Sequence, residues 1–287
     1  MNLIVNIIII LVKYFFPQKA RGNILTKIIS DLDLDPLAVA YESMGIMKYQ
    51  NAYRSGEQYL LSKILPRLFS KLSQDQLVFF DIGANIGQYT LELHKTFPSA
   101  LIFSLEPNPK TFIDLIESVS NIPTIKPFEI GIDIVKRREK LVTYRYALNS
   151  ALATIYEKVI SDIHLGTDTI SYEIQLERLD AFAEVNAIRH IHFLKIDTEG
   201  NELNVLKSVD SLLRQDAVDV IQFEFNEMNV ISRVFFKDFY DLLHERYELY
   251  RLDTERLLPI KIYNARLEIF KFQNILAVRR GLSGPLV

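Results

Sequence analysis

Val78-Phe-Phe-Asp81-Ile-Gly83-Ala-Asn85-Ile-Gly87 constrains this chain more than any other segment. An apolar run that ends in an acid and two spaced glycines reads as a buried strand turning tightly into a helix. Such turns sit at the carboxyl edge of α/β sheets, where nucleotide-like ligands are held. The pattern places Asp81 at that edge. Gly83 and Gly87 let the backbone come close to a ligand, and the free N–H groups at the start of the next helix are expected to face it.

The missing glycines narrow the ligand. A dinucleotide fingerprint beginning at Gly83 needs glycine at 85 and 88, where the chain has Asn85 and Gln88. The second glycine admits a pyrophosphate and the third lets helix and strand pack, so a nicotinamide or flavin oxidoreductase is disfavoured. S-adenosylmethionine suits D-x-G-x-N-x-G better. It has no phosphate, and Asp81 could hold its ammonium, directly or through water, while backbone amides take its carboxylate. Leu101-Ile-Phe-Ser-Leu-Glu106 is a second apolar strand ending in an acid, 25 residues after Asp81. An acid there accepts ribose hydroxyls in either cofactor class. Asn108 reads as the cap of the following helix, with Pro109 at its first position.

A third strand end carries three acids, at Phe193-Leu-Lys-Ile-Asp197-Thr-Glu199-Gly200-Asn-Glu202, and the next strand finishes at Glu224. Glu202 reads as a surface charge at a helix N-terminus. The set G-A-N-x-G after Asp81, E-P-N-P from Glu106, L-K-I-D-x-E-G-x-E from Leu194 and F-E-F-N from Phe223, with L-E-R-L-D ending at Asp180, resembles the FkbM-type methyltransferases over roughly residues 56 to 245. Glu129-Ile-Gly131-Ile132 departs from the small-residue run that many members have after the third strand. The resemblance implies a Rossmann-like class I fold: a mostly parallel seven-stranded sheet with its last strand antiparallel. It also implies O-methylation of a sugar, glycolipid or other secondary metabolite by S-adenosylmethionine. Cofactor contacts are expected from Asp81, Gly83, Asn85, Gly87, Glu106 and Asn108.

Asp197 is the first candidate for the base that removes the acceptor's proton, with Glu199 and Glu224 behind it. The same carboxylates could instead hold a divalent cation such as magnesium. None of the five histidines has the spacing of a paired metal site. His190 and His192 read as structural, at the far end of their strand, and His164 stands as a remote candidate base.

The organisation follows the motifs. Residues 1–75 read as an apolar helix and a helical lid, with Pro66 marking a kink, and residues 76–287 as the methyltransferase domain. Phe79, Ile102, Ile125, Phe193 and Val220 mark five strands, and Tyr247 and Asn274 begin a terminal pair. Leu141–Tyr146 and Ser171–Leu176 read as an inserted antiparallel pair shaping a substrate site, with Asn149 and Ser150 in its loop. Zero cysteines exclude a thiol nucleophile and thiolate metal sites, and a net charge of −3 argues against nucleic-acid binding. The basic cluster Lys136-Arg-Arg138 with Lys140 reads as a solvated turn.

Leu3 to Phe16 is almost wholly apolar. As a helix its fourteen residues reach roughly 21 Å, short of a bilayer core of about 30 Å. A signal peptide fits poorly, because no basic residue precedes the run. A packed or membrane-surface helix is expected in a cytoplasmic protein, with a weak monotopic anchor as the functional alternative. A noncatalytic scaffold would show decay at the strand-end acids, and Asp81, Glu106, Asp197 and Glu224 are all in place. The acceptor and the oligomeric state have no signature in the sequence.

Overall fold

Five apolar runs too short for helices supply the centre of the molecule. The computed structural model describes residues 10–144, 153–165 and 168–282. In it these runs are β1 (Val78–Ile82), β2 (Leu101–Leu105), β3 (Ile125–Phe128), β7 (Ile191–Ile196) and β8 (Val218–Phe225). All five are parallel, as strands buried on both faces tend to be. β9 (Tyr247–Asp253), β10 (Arg256–Ile260) and β11 (Gln273–Arg279) complete a sheet of order β10-β9-β11-β8-β7-β1-β2-β3, in which β11 lies antiparallel between β8 and β9. The chain lays down β1, β2 and β3 outward, then returns to set β7 on the other side of β1. That reversal opens a crevice at the carboxyl ends of β1 and β7.

The expected class I architecture is present, with one more strand than the seven foreseen. β10 pairs with β9 as a hairpin, and Pro259 within it is tolerated because β10 is the sheet's edge. Helices cover both faces. Leu93, Leu115 and Val119 pack with Phe79, Phe193 and Leu276 on one side. Leu179, Leu203, Leu206 and Phe239 pack with Phe80, Leu194 and Phe223 on the other.

The stretch of Glu57–Tyr59, Leu60–Ile64 and Leu65–Leu68 joins the first of these layers, with Leu60 and Leu65 fully buried. Leu60–Ile64 is a π-helical turn directly before Pro66. A widened turn accommodates a ring that would otherwise strike the carbonyl of the preceding turn.

The inserted pair forms as expected. β5 (Arg137–Tyr144) and β6 (Thr169–Glu177) run antiparallel, and with β4 (Gly131–Ile132) they make a second, three-stranded sheet beside the crevice. Asn149 and Ser150 lie outside the described residues. The basic cluster lies at the start of β5, where Lys136, Arg137 and Arg138 pair with Glu177, Asp133 and Glu173.

The ends of β1 and β7 meet at one close contact. Asp197 N donates to Ile82 O at 2.9 Å, and Gly83 follows with φ +82°. A Cβ on Gly83 would stand 1.8 Å from the Asp197 carbonyl oxygen. Glycine is therefore required here by the neighbouring strand, not by the approach of a ligand. Gly83→Ala is expected to destabilise the fold by about 3 kcal/mol or more in urea denaturation, through strain at positive φ and a displaced strand end. Gly22→Ala is the control: it lies in helix Gln18–Asp31 with nothing within 4 Å of an added Cβ, and should be neutral or stabilising by up to about 1 kcal/mol.

Candidate functional site

The crevice holds a cavity of about 500 Å³, within the usual size of small-molecule sites. Its lining brings together the ends of four strands. Gly83 and Asn85 come from the loop after β1, Glu106 and Pro107 follow β2, Asp197, Thr198 and Glu199 follow β7, and Glu224 closes β8. β4, β5 and β6 add an apolar wall of Ile132, Leu141, Ile174 and Leu176. Tyr49 and Phe272, edge to face with ring centroids 6.1 Å apart, add an aromatic pair.

Glu106 is the best-organised acid. Its Oε1 accepts from Asn108 N at 2.8 Å and its Oε2 from Asn85 N at 2.9 Å. Each oxygen keeps a lone pair beyond its amide bond. Burial pushes this carboxyl up to about 7 despite the two amide donors. Asn85 holds φ +50°, a conformation asparagine tolerates better than most residues, and its Oδ1 is buried without a partner. Glu106 and Asn85 both line the cavity, and side chains able to accept hydroxyl protons suit a ribose.

Three of the expected cofactor contacts are placed differently. Asp81, Gly87 and Asn108 do not line the cavity. Asp81 is fully buried, its Oδ2 accepting from Thr90 Oγ1 at 2.6 Å, and burial raises its carboxyl above the usual range. Its Oδ1 is buried without a partner. Gly87 sits where a Cβ would come 2.8 Å from Leu115 Cδ1, so helix packing accounts for it. Asn108 is the helix cap, its side chain accepting from Lys110 N at 3.1 Å. The amide cradle is smaller than foreseen as well. Gly83 N and Ala84 N both donate to Leu105 O, and Gly87 N donates to Ala84 O.

The catalytic candidates Asp197, Glu199 and Glu224 do converge on the cavity. Asp197 Oδ2 accepts from Lys195 Nζ at 2.8 Å. Glu199 and Glu224 are both driven well above the usual carboxylate range, by burial first and by the charge of Asp197 second. Glu199 is held at φ +54°, with its Oε2 buried and unpartnered. Glu202 is not the surface charge expected: it is buried, and its Oε1 accepts from Thr198 N, Thr198 Oγ1 and Gly200 N, tying the loop after β7 into one shape.

A divalent cation finds no ready cage here. Among the described residues, no three carboxylate or histidine groups of the cavity bring their ligand atoms within 4.8 Å of one another. The group that does so is His190, His192 and Asp219, at the opposite end of the sheet. There His192 Nδ1 accepts from Val78 N, and Asp219 is held by His190 and Arg279, so the structural reading of both histidines stands.

Sequence reasoning underweighted or missed several residues. His164 lines the cavity with its Nε2 buried and unpartnered, and burial lowers its pKa. Tyr49, Phe272 and Glu227 come from segments without motifs. Lys195 sat inside a quoted motif, and an isolated lysine in an otherwise apolar strand was the signal that could have marked it. Behind the cavity, Gln222 bonds Tyr89 OH, Glu57 and Asn274, linking the segment ahead of β1 to the sheet.

Comparison with known proteins follows the same lines. A protein named Methyltransferase 1 from Beauveria bassiana is 26% identical over 150 residues, 47% of this chain and 59% of that protein. The hexuronic acid methyltransferase AglP of Haloferax volcanii is 28% identical over 153 residues, 52% of this chain and 56% of that protein. The chain thus spans under two thirds of the length of these curated relatives. A crystal structure of a methyltransferase FkbM from Methylobacillus flagellatus aligns with a TM-score of 0.43 at 12% identity, covering 74% of this chain and 48% of that one. The methyltransferase FkbM domain matches residues 81–252, which hold the end of β1, β2, the inserted sheet, β7 and β8 with all the cavity-lining strand ends. By that match, across more than half of its length, the chain belongs to the FkbM methyltransferase family.

Proposed function

We propose that this protein is an S-adenosylmethionine-dependent O-methyltransferase acting on a hydroxyl of a sugar, glycolipid or other secondary metabolite. The observation that carries the reading is Glu106, fixed by two amides at the topological switch point and lining the same cavity as Asn85, whose buried Oδ1 has no partner. Glu106 and Asn85 would hold the ribose. Pro107, Gly131 and Ile132 supply an apolar slot of the kind a flat base fills. When bound, the cofactor supplies a methyl group already activated by its sulfonium.

The chain's own task is then to place an acceptor oxygen and take its proton. Asp197 is proposed as the proton acceptor, oriented by Lys195 Nζ. Glu199 and Glu224, kept protonated by burial and by Asp197, would orient acceptor hydroxyls by hydrogen bonding. Alignment of two reactants lowers a barrier by ~7–11 kcal/mol, and a positioned base adds roughly a hundred- to ten-thousand-fold. The hydroxyl-rich acceptor class is supported by Glu199 and Glu227, which line the cavity and whose buried Oε2 atoms have no partner. AglP, by its name, acts on a hexuronic acid, a sugar derivative.

Calorimetric titration with S-adenosylhomocysteine, with NAD as the comparison, tests the cofactor. Homocysteine-adduct binding at micromolar level and none of NAD is expected; the reverse, or no binding of either to folded protein, overturns the reading. Because Glu106 must be ionised to accept both ribose hydroxyls, affinity should fall by up to about tenfold for each pH unit below about 7 and level off above it. Glu106→Gln should weaken binding on the order of tenfold or more and flatten that pH dependence, since the amide cannot accept from both Asn85 N and Asn108 N. Asp197→Asn, which keeps an acceptor for Lys195, should hold adduct affinity within about threefold of wild type. Methyl transfer from labelled cofactor to a sugar acceptor should fall by roughly a hundredfold or more.

A further inference from the structure

The N-terminal segment presents an exposed apolar surface. Residues 10–15 are helical, and after Pro17 the chain continues into helices Gln18–Asp31 and Pro36–Ser43. In the longer of these, Ile29 is the sole buried residue. Tyr14 is 84% exposed, Phe15 68%, Ile10 64% and Leu32 62%. Ile10 and Tyr14 lie four apart and Leu25 and Ile28 three apart, so each pair shares one face of its helix, and Leu32 follows at the end of the second. Exposed apolar area of this extent marks an interaction surface.

Charge identifies the partner. Residues 1–30 carry four basic side chains, Lys13, Lys19, Arg21 and Lys27, and no acid, so the remainder of the chain carries a net −7. An apolar, aromatic and basic element on an acidic body fits an anionic lipid surface, which attracts the one and repels the other. A symmetric second copy would set four cations against four cations. Among the described residues no helix is long and apolar enough to cross a membrane.

The element is tied to the catalytic body at a defined place. Ser43 O accepts from Arg256 Nη2 and Met44 O from Arg251 Nη1, both at 3.1 Å, which fixes the end of helix Pro36–Ser43 at the β9–β10 edge. Six residues after Ser43, Tyr49 lines the cavity.

We propose that residues 10–30, which carry the four cations and no acid, seat this protein on an anionic bilayer surface as an interfacial element, holding the cavity beside the lipid headgroups. The proposal does not depend on which acceptor is methylated. The test is co-sedimentation of the full chain with vesicles of phosphatidylcholine alone and of an equal mixture with phosphatidylglycerol. Each cation near an anionic surface strengthens binding roughly fivefold, so binding should be at least about a hundredfold tighter to the mixture and should weaken steeply with salt. Two variants separate the contributions: Tyr14→Ser with Phe15→Ser, and Lys13→Glu with Lys19→Glu and Arg21→Glu. Neither touches the cavity or the sheet. Each should lose at least tenfold in vesicle binding while keeping the wild-type melting temperature and adduct affinity. Absence of sedimentation overturns the proposal, as does binding indifferent to salt and to charge reversal, the mark of a spanning segment. Lipid-free dimerisation that Tyr14→Ser with Phe15→Ser abolishes would overturn it in favour of a second copy.

Discussion

One buried ammonium organises the centre of this protein. Lys195 Nζ lies 2.8 Å from Asp197 Oδ2 and 4.9 Å from the centre of the Tyr89 ring. Burial works to lower its pKa, and Asp197, Glu57 and Asp81 outweigh that and hold it charged, above the ordinary lysine range. An ammonium taken out of water costs several kcal/mol unless it is paired, and here several acids share that pairing. The register shows how it is enclosed: Ser104, Asp81, Lys195 and Gln222 stand beside one another across β2, β1, β7 and β8. This polar row crosses an otherwise apolar sheet just beneath the cavity and gives the strand-end carboxylates a fixed positive reference.

The acids divide by their surroundings more than by their motifs. Glu106 has two amides and a carboxyl pushed up to about 7 by burial, whereas Glu199 and Glu224 have burial and a charged neighbour that raise both well above the usual carboxylate range. Asp197 has the lysine. Carboxyl groups at one sheet edge thus sit in different surroundings, the condition under which chemically similar groups can take different roles in a single reaction.

Much of the sheet was readable because parallel strands buried on both faces are continuous apolar runs, and Phe79, Ile102, Ile125, Phe193 and Val220 each mark one. The inserted pair was readable from its alternation. β10 was not, because Pro259 interrupts it and only an edge position permits that. At the site, Glu106, Asp197, Glu199 and Glu224 were legible as acids ending strands. What their neighbours require was not. Gly83 and Gly87 were taken as room for a ligand, whereas the Asp197 carbonyl and Leu115 are what occupy that space. Asp81 was read as a ligand contact at the sheet edge and Glu202 as a surface charge, and sequence gives no measure of how deeply the loop above each one folds back. Tyr49 and Phe272 stand 223 positions apart and meet only through tertiary folding, so no local pattern could pair them.

The contact between Gly83 and the Asp197 carbonyl also has a mechanical meaning. The loop that carries Asn85 belongs to one half of the sheet and the loop that carries Asp197 and Glu199 to the other, yet at their crossing no space remains for even a methyl group. The two loops therefore cannot slide independently. A displacement imposed on one is transmitted to the other as a rigid lever would transmit it, so the halves of the cavity keep a common alignment whichever side is pushed.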